Sequence, residues 1–79
     1  MDRKMITPCV SVLVGRTSAT VYVYGREDRT YYFGAGLSFR SIVEDVKERY
    51  VNAGPLMPEP CAKKLAHLIY RGLEKKYNN

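Results

Sequence analysis

The chain has little of the material from which catalytic, metal-binding and membrane functions are made. It carries one histidine and two cysteines, Cys9 and Cys61, which lie far apart and outside any CxxC spacing. That usage fits two reduced thiols better than a disulfide framework or a zinc site. In the first half the longest aliphatic run is Val12 to Val14, far short of the roughly 20 residues that a membrane-spanning helix needs. Arg3 and Lys4 are followed by Thr7, Pro8 and Ser11, which interrupt the continuous apolar segment of a secretory signal. A cytoplasmic protein without membrane contact is the expectation. Internal repeats and low-complexity stretches are also missing. Gly34 and Gly36 stand before a helical pattern, but the further glycine and the lysine of a phosphate-cradling loop are lacking.

What is present describes one small domain. The 79 residues, 46% hydrophobic and 27% charged, resemble an average globular chain and are too few to divide into two cores. A net charge of +5 favours an anionic partner without naming it.

From Ile6 to Ala35 the hydrophobic pattern has period two, which predicts strands at about Cys9 to Val14, Ala19 to Tyr24 and Thr30 to Phe33. The intervening Gly15 to Ser18 and Gly25 to Arg29 read as hairpin turns. If Val14 opposes Ala19, Val12 meets Val21 and Val10 meets Val23. If Tyr24 opposes Tyr31, Val23 meets Tyr32 and Tyr22 meets Phe33. One face then carries Val10, Val12, Val14, Ala19, Val21, Val23 and Tyr32. The other carries Cys9, Ser11, Leu13, Thr20, Tyr22, Tyr24, Tyr31 and Phe33.

After Gly36 the period becomes helical. Ser38 offers an N-cap, with Ser41 and Glu44 as a second capping-box pair, and Phe39, Ile42, Val43, Val46 and Tyr50 recur on one face. Asn52, Gly54 and Pro55 end this helix. A proline-rich connector leads to a second helix, from near Pro60 to about Tyr77. Cys61, Leu65, Leu68, Ile69, Gly72 and Leu73 share its apolar face, while Lys63, Lys64, His67, Arg71 and Lys75 gather in an opposite arc of roughly 120°. The expected fold is α+β: a three-stranded antiparallel sheet followed by two helices, β-β-β-α-α, in one compact domain.

No catalytic constellation, metal site or cofactor follows from these residues, and an enzyme is not expected. Glu44 pairs by spacing with Arg40, and Asp45 with Arg49, so solvated ion pairs account for the acids. Arg26, Glu27, Asp28 and Arg29 read as a soluble hairpin tip. Tyr22, Tyr24, Tyr31 and Phe33 have two readings. They are core if the helices take opposite faces of the sheet, and an exposed platform for bases or a protein if both helices cover the valines.

The stretch from Tyr22 to Asn52 has a strand, a charged turn, a second strand ending in Phe33, Gly34, Ala35 and Gly36, and then a helix. It loosely resembles the arm-binding domain of phage tyrosine integrases, a likeness that covers less than half the chain. The resemblance implies a three-stranded sheet laid in the major groove beside a helix.

The leading expectation is a non-catalytic protein that contacts nucleic acid. Lys63, Lys64, His67, Arg71 and Lys75 would meet phosphates, and Tyr22, Tyr24 and Tyr31 would meet bases or sugars. The alternative is a phage-type anti-defence inhibitor or adaptor, of the anti-CRISPR kind, that turns the same basic face to an acidic protein surface of a nucleic-acid-handling complex. Homodimerisation through a sheet edge stays open.

Overall fold

The computed structural model describes residues 3–34 and 36–78, with side chains described as far as Lys75. Its elements are β1 (Lys4–Met5), β2 (Val10–Val14), β3 (Ser18–Val23), β4 (Arg26–Tyr32), α1 (Phe39–Lys47), a π-helical turn (Glu48–Asn52) and α2 (Glu59–Asn78). The four strands form one antiparallel sheet in the order β1-β2-β3-β4. The expectation of three strands is therefore corrected to four. β1 has two residues, too few to show a period in sequence. It is held by the Thr7 turn, where Thr7 Oγ1 accepts from the backbone N–H groups of Cys9 and Val10, both at 3.1 Å.

The β2–β3 register is the one the valines predict: Val10 opposes Val23, Val12 opposes Val21 and Val14 opposes Ala19. The β3–β4 register is not. Tyr24 and Gly25 form a two-residue loop, with φ of 52° and 81°, and left-handed conformation at both central positions is what a type I′ hairpin turn requires. β4 consequently begins at Arg26, opposite Val23, and runs straight through the charged residues expected to form a turn.

Tyr22 then opposes Glu27 and Val21 opposes Arg29, which leaves Asp28 as the extra residue of a β-bulge. One inserted residue moves everything after it to the other face of a strand. Tyr31 thus lies beside Ala19 and Tyr32 beside Ser18, the reverse of the faces read from sequence. Tyr31 and Phe33 are buried, and Tyr32 is 65% exposed. Ala35, part of the stretch compared with the integrase domain, lies outside the described residues.

Both helices cover the valine face. Val10, Val12, Ala19 and Val21 are closed off completely, together with Ile42 and Val46 of α1 and Leu65 and Ile69 of α2. α2 lies over β2 and β3 with α1 beside it. Ser38 caps α1 through a reciprocal box with Ser41, while Glu44 bonds to Arg40 instead. Within the buried stripe of α2, Gly72 allows the closest approach. A Cβ there would collide with Val14 Cγ1 and stand 2.8 Å from Phe33 Cζ.

Polar bonds join β4 to the α1 side. Asp45 accepts from the Tyr31 hydroxyl at 2.6 Å and pairs with Arg29 at 3.0 Å. Asp28 accepts from the Tyr50 hydroxyl at 2.7 Å and from Arg49 Nε at 2.9 Å. The strand and the α1 side each supply a carboxylate, an arginine and a tyrosine, and each carboxylate is served by the opposite element. The bulge brings Asp28 within reach, and the π-helical turn, closed by Ala53 N–H to Glu48 O at 2.8 Å, carries Arg49 and Tyr50 to it. The local pairing of Asp45 with Arg49 expected from spacing gives way to these tertiary partners.

Candidate functional site

The outward face of α2 presents Lys63, Lys64, His67, Arg71 and Lys75, all exposed. The sequence pattern requires this outcome, because Ala62, Leu65, Ala66, Ile69, Gly72 and Leu73 occupy the opposite side of the helix and are buried. His67 lies within the group, between Lys63 and Arg71 around the helix. Its ring packs at a tilt on Phe39 with centroids 4.7 Å apart, and Phe39 meets Tyr70 edge-on at 5.3 Å. The three lysines and the arginine of the arc form no ion pair among the described residues.

Charge is divided between two regions of the chain. Residues 26–59 hold five Lys and Arg against six Asp and Glu, whereas the rest holds eight against two. All four ion pairs, Arg29–Asp45, Arg40–Glu44, Lys47–Glu59 and Arg49–Asp28, fall inside the first group. Arg49 holds the Asp28 carboxyl below the usual carboxylate range by its hydrogen bond, and Lys47 does the same for Glu59. These pairs tie β4 to α1 and its π-helical turn, and α1 to the start of α2, where Lys63 adds to the lowering of Glu59. Positive charge outside residues 26–59 comes from α2 together with Arg3, Lys4 and Arg16.

Arg16 and Lys4 are not legible as part of this surface, because Arg16 stands alone among uncharged neighbours and Lys4, next to Arg3, is far from α2 in sequence. The fold brings them into consideration. Gly72 rests against Val14, so the second half of α2 runs beside the β2–β3 turn that carries Arg16. Lys4 opposes Val12 and so belongs to the helix-covered side of the sheet, at its β1 edge.

The tyrosines divide. Tyr22 is half-buried on the uncovered sheet face, and Tyr24 is 72% exposed at the hairpin turn. Tyr31 is in the core, where burial and its bond to Asp45 hold its phenol well above the ordinary range. It cannot serve the surface read for it, and Tyr32 stands out in its place. The uncovered face points away from the helix layer, so the basic arc and the exposed tyrosines are on opposite sides of the molecule.

The chain matches no protein-family model, curated protein or solved structure at a significant level. No helix among the described residues is long and apolar enough to cross a membrane.

Proposed function

We propose that this is a non-catalytic binding protein that holds nucleic acid through the outward face of α2. The observation that carries the reading is the separation of charge: the four ion pairs among the described residues all lie within residues 26–59, and Lys63, Lys64, Arg71 and Lys75 form none, Lys63 having only a longer-range attraction to Glu59. Cations without an internal partner are available to phosphates, whose neutralisation releases condensed counterions and supplies most of non-specific affinity. The helix is rigid and backed by buried side chains, so the charges keep a defined spacing. From Lys63 to Lys75 it rises about 18 Å, a length along which duplex DNA presents about five phosphates per strand.

In this role Lys63, Lys64, Arg71 and Lys75 contact phosphates, with Arg16 extending the positive surface at the end of the helix near Gly72. His67 lies within the contact and packs on Phe39. The sheet tyrosines take no part, since they face the other way.

Gel shifts on mixed DNA and RNA, set beside nuclease-treated pull-downs, test the proposal with wild type and a Lys64→Ala/Arg71→Ala variant. Shifts of duplex by the wild type that the variant weakens on every sequence support it. Absence of any shift, with nuclease-resistant recovery of a protein that the variant releases, would replace it with an inhibitor or adaptor directed at an acidic protein surface.

A further inference from the structure

The face of the sheet turned away from the helices is laid out in rows by the strand register. Tyr32 stands beside Ser18, Thr30 beside Thr20 and Leu13, and Glu27 beside Tyr22, Ser11 and Met5. The exposed large apolar side chains among the described residues, Met5 at 59%, Tyr32 at 65% and Tyr24 at 72%, all belong to this face or to the turn at its end. Between Tyr32 and Tyr22 the Thr20 and Thr30 hydroxyls bond to each other at 3.1 Å, which makes the row between the two rings polar. Arg3 places its guanidinium 4.6 Å from the centre of the Tyr22 ring. Tyr24 adopts φ of 52°, a conformation costly for a bulky residue, while its ring has little packing to offset it.

We propose that this face binds an unpaired nucleic-acid strand, stacking one base on Tyr32 and another on the Tyr22–Arg3 pair. The inference deepens the proposed function and rests on it for the class of ligand, but uses a separate surface. Three features select this occupant. Tyr22 and Tyr32 lie on rows four residues apart along β3, about 13 Å, so they are separate platforms and do not stack on each other. An aromatic ring and an arginine plane are the surfaces on which unpaired bases stack. Arg3 stands beside Tyr22, with Glu27 as the one carboxylate placed on the face by the register. The alternative of a second copy is limited by size. Three strand spacings by about six residues give roughly 300 Å², against the roughly 800 Å² per partner of a stable interface.

The test titrates a fluorescein-labelled oligothymidylate, and separately a duplex hairpin, into wild type and into the Tyr32→Ala, Tyr32→Phe, Tyr22→Ala and Lys64→Ala/Arg71→Ala variants, with melting curves on each. The expected result is that Tyr32→Ala and Tyr22→Ala each weaken oligothymidylate binding about tenfold, and that Tyr32→Phe restores it. The duplex hairpin should bind all three tyrosine variants as it binds wild type. Lys64→Ala/Arg71→Ala should bind the hairpin more weakly and keep the tyrosine-dependent affinity for oligothymidylate. Unchanged oligothymidylate binding by Tyr32→Ala would overturn the inference while leaving the α2 proposal intact. Loss of the hairpin alone from wild type would do the reverse. A concentration-dependent dimer that Tyr32→Ala dissociates would also overturn it, by assigning the face to a second copy.

Discussion

Gly72 shows how one residue sets the distance between layers. As a glycine within α2 it costs the helix about 1 kcal/mol relative to alanine, yet its missing side chain lets the helix backbone settle on Val14 and Phe33. Gly72→Ala improves helix propensity and creates an overlap that must be relieved by moving α2 or both side chains, at about 1 to 3 kcal/mol. The expected outcome is a net loss of stability, read as a lower urea midpoint with an unchanged slope. A gain would show that the sheet and helix can separate at little cost. At the same scale Val12, Val21 and Leu65, marked by pattern as core, are fully buried. Truncation of any one to alanine is expected to cost about 1 to 4 kcal/mol.

At the scale of elements, β4 and its bonds to α1 and the π-helical turn give the fold a pH dependence at both ends. The Asp28 carboxyl titrates below its ordinary value in the folded chain, because Arg49 and Tyr50 bond to it. The unfolded chain therefore binds the proton more readily, and the stabilisation is present above about pH 4 and lost as pH falls further. Urea midpoints of wild type and Asp28→Asn should differ at pH 7 and converge towards pH 3. Tyr31 and Tyr50 behave in the opposite sense. Burial and their carboxylate partners raise both phenols, so the folded chain keeps protons that the unfolded chain releases above about pH 10. Stability should fall from there upward, with two phenols ionising only as the chain unfolds, seen by phenolate absorbance against circular dichroism.

These same elements mark where the sequence stops being legible. The valine alternation specified the β2–β3 register to the residue, because a slip by one would turn every valine to solvent. Both helices and the cap at Ser38 were equally readable, since period and capping chemistry act locally. β4 was not. Its charged residues read as a loop, although Tyr24-Gly25 as a two-residue turn would have restarted the strand at Arg26. Even that correction would have left Tyr31 facing outward, because the bulge at Asp28 is selected by tertiary bonds to Arg49 and Tyr50 that no local pattern reveals. The basic arc was legible as a helical stripe. The contribution of Arg16, the inward turn of Tyr31 and the exposure of Tyr32 depend on the register of β4 and on where α2 crosses the sheet.

For the whole molecule charge divides between sides: the four ion pairs among the described residues lie within residues 26–59, and the proposed function gives the cations of α2 to phosphates. The direct test is the salt dependence of binding to a duplex DNA fragment, measured by anisotropy between 50 and 200 mM salt for wild type and Lys64→Ala/Arg71→Ala. If the arc neutralises about four phosphates, wild-type affinity should fall roughly 100-fold over that range. The double variant should bind more weakly at every sequence and show a slope about two units shallower on a log–log plot. A wild-type slope near zero, or a double variant with the wild-type slope, would contradict the assignment of these residues to phosphates.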